Sequence, residues 1–336
     1  MTSAWQVSEW GLSRLEKVES ECPEPSAGEV QVAFQAASLN YRDLLVVQGK
    51  YNPKFPRPLV PCTDGFGSIV AVGPEVDETL LKKSVITNFC PDWSSGEPRE
   101  KVLRRTLGGP LQGTLQQRRN FNPTELPWLD EPAALTPREW ATLPGAGVPA
   151  WNGLSGLEPG QTVLLIGSGG VSLFALAFAK MGGARTIAIT TRTQKRDRLL
   201  ALGADEVLAI PETEDWPAVV RALTGGRGVD HVVEVVGGEN VAPAGQAARN
   251  GGQIHLIGAQ STGQIDPTPL RRRNIRLRGI YVGPRTQFEA MNRAIDQHGY
   301  RPVVDRVFPF AAAADAFAHL RAQAHVGKVV IEVGAG

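Results

Sequence analysis

Apolar and polar residues alternate over short stretches in the first third of the chain, at 30–34, 68–73 and 84–87, with Pro/Gly-rich turns between them. Period-two alternation broken by such turns predicts half-buried strands, and so an irregular all-β unit. From about Leu135 the pattern changes: compact apolar runs at 162–166, 186–189, 231–236, 254–257 and 277–282 are separated by helical stretches. Apolar runs of this kind, alternating with helices, predict a mainly parallel sheet with helices on both faces. The tail, with segments at 303–308 and 328–333, is strand-rich again and is expected to rejoin the first unit. No internal repeat or low-complexity linker interrupts this order.

The first run of the second region leads into chemistry. Thr162-Val163-Leu164-Leu165-Ile166 is followed by Gly167-Ser168-Gly169-Gly170-Val171-Ser172, a buried strand, a glycine-rich turn and a helix start, the order that a dinucleotide-binding unit requires. Gly167 permits the tight turn. Gly169 lets backbone N–H groups approach a pyrophosphate, and the helix opening near Gly170 offers unpaired donors and a positive dipole end. Ser172 stands where a third glycine often stands. The next strand ends on Thr190, Thr191 and Arg192, with Lys195 nearby, where an acid would hold a free ribose 2′-hydroxyl. With no carboxylate there, two hydroxyls and two cations suit a 2′-phosphate, so the expected cofactor is NADP(H).

Composition narrows the remaining classes. A chain of 336 residues, 42% apolar, is expected to build more than one core. A net charge of +1 argues against nucleic acid and membrane surfaces as partners and leaves a small molecule. No run of eighteen apolar residues is present, and Cys22, Cys62 and Cys90 are widely spaced, so a soluble protein of the reducing cytoplasm is expected. All three cysteines precede position 91 and all five histidines follow position 230. No local metal-ligand spacing results, and each histidine is expected to be structural or exposed.

Further segments carry a resemblance: Ala37-Ser38-Leu39-Asn40-Tyr41-Arg42-Asp43, Pro61-Cys62-Thr63-Asp64-Gly65-Phe66-Gly67, Ala141-Thr142-Leu143-Pro144-Gly145-Ala146-Gly147, the glycine turn, and Gly327-Lys328-Val329-Val330-Ile331. Over nearly its whole length the chain resembles the medium-chain dehydrogenase/reductase superfamily, in the zinc-free branch that contains quinone oxidoreductases. The resemblance implies an α/β fold in which a Rossmann doubly wound parallel sheet is inserted into a GroES-like, mainly β catalytic domain. The expected parts are residues 1–122 and 285–336 for the catalytic domain and 123–284 for the NADP-binding domain, with the active site in the cleft between them. In zinc-dependent relatives the catalytic ligands would fall at Asn40, Thr63 and Gly145. None of these is a good zinc ligand, so no metal is expected, and Gly145 would leave the pocket floor open.

Without a metal, the charge that hydride transfer builds on an oxygen needs other stabilisation, which favours quinones and α,β-unsaturated carbonyls that delocalise it. Enoyl thioester reduction, a zinc-free alcohol dehydrogenase activity and NADPH binding without turnover are the alternatives. Tyr51 aligns with a tyrosine that acts as proton donor in related enoyl thioester reductases, or else fixes the loop before Pro53. Tyr41 is a weaker candidate or a pocket wall. Asn40 would bond substrate or the nicotinamide ribose, Asp43 its own loop, and Asp64 either Arg42 or the cleft. Trp93 is a substrate wall or a packed loop aromatic. Along the cofactor groove the resemblance implies Thr142, Val236 and Gly237, Ile257 and Gly258, Tyr281, Val282 and Gly283. Lys328 would lie near a cofactor phosphate or the cleft, or be a charge at a strand start. The segment 277–283 resembles the edge strand through which relatives form homodimers.

Overall fold

The computed structural model describes residues 2–127, 129, 135–213, 215–258, 260, 261 and 263–334. The chain divides into two compact units, 1–148 with 283–336, and 149–282. The first division thus falls 26 residues beyond the expected 122/123 (148 − 122), because the chain after 122 still packs on the first unit. Trp140, in the helix Pro137–Trp140, is 2% exposed and stacks on Phe66.

In the first unit, strands β1 (Thr2–Val7) and β2 (Leu15–Ser20) form an antiparallel pair. A mixed sheet contains β3 (Val30–Leu39), β4 (Asp64–Val72), β5 (Ser84–Ile86), β6 (Arg118–Phe121), and the late strands β13 (Val304–Pro309) and β14 (Lys328–Glu332). Its order is β13-β14-β3-β4-β5, with β6 also on β3. The tail rejoins the first unit through β14, which runs antiparallel to β3 with Val329 opposite Leu39. That pairing brings the start of β14 to the end of β3, and so Lys328 to Asn40. Helix α1 (Tyr41–Val47) follows at once, and the Asp43 carboxylate accepts the Asn40 backbone N–H at 2.8 Å, fixing the corner.

The second unit holds β7 (Thr162–Ile166), β8 (Arg185–Thr190), β9 (Glu206–Ala209), β10 (Val229–Glu234), β11 (Ala248–Leu256) and β12 (Arg276–Gly279), in the order β12-β11-β10-β7-β8-β9. All neighbouring pairs are parallel. Val163 and Leu164 are both fully buried although neighbours on a strand point to opposite faces, so both faces are covered. Strand β12 is a sheet edge and exposed throughout. It ends at Gly279, earlier than the 282 expected: Ile280 adds one more bond, to the Leu256 carbonyl, and the Val282 carbonyl is instead taken by the Asn152 amide at 2.7 Å. Tyr281, Val282 and Gly283 therefore lie beyond the strand.

Candidate functional site

In the first unit, Asn40, Thr63 and Gly145, far apart in sequence, converge on one buried carboxylate. Asp64 is fully buried; its Oδ1 accepts the Thr63 hydroxyl at 2.6 Å and its Oδ2 the Gly145 N–H at 3.1 Å. Gly145 lies in a π-helical turn, Leu143–Gly147, an irregularity frequent at functional positions. The Asn40 Nδ2 donates to Thr63 Oγ1 at 3.2 Å. Lys328, 3% exposed, donates to Asn40 Oδ1 at 2.5 Å and to the Leu39 carbonyl at 2.9 Å, and its Nζ lies 3.5 Å from Asp64 Oδ2. Three acceptors surround one nitrogen, which matches the three N–H bonds of an ammonium. Burial pushes the Lys328 pKa down, and the carboxylates of Asp64 and Asp43 oppose it. Burial also pushes Asp43 up to about 7, against the pull of the Arg42 guanidinium.

This geometry bears on three expectations. The floor at Gly145 is not open, since a Cβ there would stand 2.4 Å from Asn40 Nδ2 and 2.7 Å from Asp64 Oδ1. Lys328 directs its ammonium at the Asn40 amide and Asp64 within the first unit, because β14 starts beside the end of β3. Asp64 does not hold Arg42 either. The Arg42 guanidinium donates to the carbonyls of Leu107 and Gly108 and to Thr106 Oγ1, and lies between the rings of Tyr51 and Phe89, 4.9 Å from each centroid. Tyr51 follows the α1 exit turn, where Gly49 has φ +69° and a Cβ would meet the Trp10 ring at 2.6 Å. Tyr41 opens α1, half-buried against the first core. Trp93 is a packed loop aromatic, 6% exposed, its Nε1 donating to the Gly96 carbonyl. Thr142 is buried and donates its hydroxyl to the Glu139 carbonyl at 2.6 Å.

In the second unit, the turn after β7 has Gly167 at φ +85°, and helix α2 (Gly170–Met181) begins with Gly169 as a cap that has no side chain to offer. A Cβ at Gly169 would meet nothing within 4 Å. The first N–H groups of α2, including those of Gly170 and Val171, thus have no side-chain cap, and the space beside Gly169 is open. Ser172, in the third-glycine place, donates its hydroxyl to the Ile166 carbonyl at 2.7 Å and ties α2 to β7. Lys195 Nζ donates to Ser168 Oγ at 3.0 Å, joining the cations after β8 to the glycine turn. Thr190 is buried, and its hydroxyl accepts the Arg192 backbone N–H at 3.2 Å, so it shapes the loop on which exposed Thr191 and Arg192 stand.

Beyond β10, Val236 and Gly237 are held by Glu234, a buried acid that sequence reading passed over: its oxygens accept Val236 N–H at 3.0 Å, Gly237 N–H at 2.5 Å and Asn240 Nδ2 at 2.8 Å. Gly258, after Ile257, admits no side chain, since its Cβ would stand 1.6 Å from the Val235 carbonyl. Two histidines are structural, as one of the expected readings had it, but they act as a pair. His231 Nδ1 and His255 Nε2 are 3.0 Å apart on neighbouring strands, and His231 Nε2 meets Gln161 Oε1 at 2.8 Å. Burial, with His231 and Arg278 adding to it, pushes His255 down to about 3.

Residues 26–129 match the alcohol dehydrogenase GroES-like domain and residues 170–297 the zinc-binding dehydrogenase family. A zinc-type alcohol dehydrogenase-like protein of Schizosaccharomyces pombe is 36% identical over 96% of each chain. This chain belongs to the medium-chain dehydrogenase/reductase family. The NADPH-dependent alkenal/one oxidoreductase of Arabidopsis thaliana chloroplasts is 30% identical, over 98% of this chain and 78% of its own. The crystal structure of an NAD-dependent alcohol dehydrogenase superposes with a TM-score of 0.88 at 32% identity, covering 99% of this chain and all of the other.

Family members use nicotinamide cofactors, and the uncapped α2 start with its open glycine turn fits a pyrophosphate. A catalytic zinc fits poorly. Asn40, Thr63 and Gly145 offer an amide, a hydroxyl and no side-chain donor, and the adjoining space holds an ammonium. No group of three or more His, Cys, Asp or Glu residues suited to a metal occurs among the described residues.

Proposed function

We propose that the protein is an NADPH-dependent oxidoreductase that reduces quinones or α,β-unsaturated carbonyls without zinc. One observation carries this reading: Asn40 and Thr63, at positions where zinc-dependent relatives would have ligands, are joined with Asp64 and Lys328 in one hydrogen-bonded cluster. Without a Lewis acid of full metal strength, acceptors that spread the incoming charge over a conjugated system are favoured. When bound, the nicotinamide supplies the hydride. Gly167, Ser168, Gly169, Gly170 and Val171 would receive the cofactor pyrophosphate. Thr191, Arg192 and Lys195 would bind its 2′-phosphate, with Thr190 holding their loop. Val236, Gly237, Ile257, Gly258, Tyr281, Val282 and Gly283 would border the groove, with Thr142 as a wall of the nicotinamide end.

In the first unit Asn40 would hold the substrate oxygen, with Tyr41 as a wall. Tyr51, its ring fixed under the Arg42 guanidinium, would protonate the carbon of an enolate. A homodimer joined at the exposed edge of β12 would satisfy its unpaired backbone groups. Free Cys22, Cys62 and Cys90 fit a reducing cytoplasm, and no helix among the described residues is long and apolar enough to cross a membrane.

The test is NADPH oxidation against quinones, enals and enoyl thioesters. Turnover of quinones or enals supports the proposal. Exclusive turnover of thioesters assigns an enoyl thioester reductase, turnover of simple alcohols or aldehydes alone a zinc-free alcohol dehydrogenase, and NADPH binding without oxidation of any substrate a binding protein.

A further inference from the structure

The hydrogen-bond directions in the Asn40 cluster are forced, and they leave one donor over. Lys328 is an ammonium, with donors only, so the Asn40 atom at 2.5 Å from it must be the amide oxygen. The amide nitrogen then faces Thr63 Oγ1, at 3.2 Å. The Thr63 hydroxyl hydrogen is itself committed to Asp64 Oδ1 at 2.6 Å, so Thr63 Oγ1 accepts from Asn40. One of the two Nδ2 hydrogens is used in this way. The second has no partner among the described residues, and Asn40 is half-buried whereas Thr63, Asp64 and Lys328 are buried.

Resting on the reading above, we infer that Lys328 acts through Asn40: the buried ammonium polarises the amide, and the remaining Nδ2–H becomes the hydrogen-bond donor to the carbonyl oxygen of the substrate. A charged donor on an amide oxygen draws electron density from its nitrogen, and hydrogen bonds in series strengthen one another in a low-dielectric interior. Lys328 itself, 3% exposed and surrounded by three acceptors, does not touch substrate; it is a positioning residue. Asp64 keeps the ammonium charged and, through Thr63, keeps the amide from rotating. Gly145 is part of the same device, because any side chain there would displace the amide nitrogen, 2.4 Å from its Cβ.

The experiment reads the carbonyl stretch of cinnamaldehyde bound with NADP+, by difference infrared spectroscopy, beside steady-state kinetics with NADPH. In the wild type the band should move to lower wavenumber than in free aldehyde. Asn40→Ala should abolish the shift and lower kcat for cinnamaldehyde by about a hundredfold, the usual cost of one oxyanion donor. Lys328→Met alone leaves Asp64 uncompensated, so the folded comparison is Lys328→Met with Asp64→Asn. That protein should show a smaller shift and about tenfold lower kcat at unchanged KM, the pattern of an interaction made in the transition state. A wild type that neither oxidises NADPH nor shifts the band overturns the activity and this inference together. Wild-type turnover with a band that is unshifted, or that is the same in Asn40→Ala, overturns the inference alone. A double variant whose shift and kcat match the wild type removes Lys328 from it.

Discussion

In the first unit Asn40, Thr63, Asp64 and Lys328 bond one another and leave over a single Asn40 Nδ2 hydrogen, whereas in the second the glycine turn and the start of α2 present donors that neither a side-chain cap nor a Cβ obstructs. The two regions therefore respond to different things. A cluster built on a buried ion pair is part of the folding free energy, and disturbing it costs stability before it costs affinity. An open anion site contributes little to the free protein and acquires its worth with the ligand: a cofactor at a hundred times its Kd stabilises by about 2.7 kcal/mol. On the proposed reading, such a protein carries the groups that hold the substrate oxygen permanently and takes up its hydride source reversibly.

The sharpest break of the comparison is Lys328→Met. Removing one partner of a buried pair costs about 3–5 kcal/mol, and neutralising Asp64 as well should recover most of it. Urea unfolding checks both, and a loss below about 1 kcal/mol for the single variant would mean that the cluster is not part of the stability. Next in size is Tyr51→Phe. An enolate must be protonated on carbon, for which a positioned acid contributes about 10²- to 10⁴-fold, whereas a hydroquinone anion takes its proton from water. Enal turnover should fall at least about a hundredfold and quinone turnover less than about tenfold. Equal falls would make Tyr51 a residue that positions substrate, and no fall would make it a loop residue.

In the open region, Arg192→Ala should weaken NADPH binding by about ten- to a hundredfold and NADH binding little, as expected for one charge-assisted contact. Titration by cofactor fluorescence measures both, and an equal loss would remove Arg192 from the phosphate site. The smallest effect per pH unit concerns His255. Its folded pKa of about 3 lies below the unfolded value, so the unfolded chain binds a proton first and stability falls as pH drops from about 6.5 towards 3. The slope for one group is about 1.4 kcal/mol per pH unit. Asp43, raised to about 7, works in the opposite sense between pH 4 and 7, so the quantity to follow is the difference between wild type and His255→Phe. A pH-independent difference would show that His255 is not held neutral by the fold.

The parallel sheet was legible because β7 and β8 are apolar runs without alternation, the pattern of strands covered on both faces. The glycine turn was legible because its chemistry is local. In the sequence Lys328 is open between a cofactor phosphate, the cleft and a plain strand-start charge because a strand-start lysine carries no mark of its partner: Asn40 lies 288 positions away and is reached only through the register of β14 on β3. The histidine pair escaped for the same reason, being formed by strands paired across 24 positions. Glu234 looked like an ordinary strand end, and its use in holding the turn at Gly237 depends on the backbone doubling back. The β1–β2 pair was missed because charged and apolar residues mix there without a clear period, and pairing across the strands supplies the order that the pattern lacks. Residues that act through neighbours in sequence could be read; those that act through register could not.

The most direct measurement is oxidation of NADPH by a quinone and an enal in protein treated with a strong chelator, with zinc counted in the same sample by elemental analysis. The account predicts undiminished turnover with zinc far below one equivalent per chain. Stoichiometric zinc in the active protein, with activity lost on chelation and restored by the metal, would contradict it.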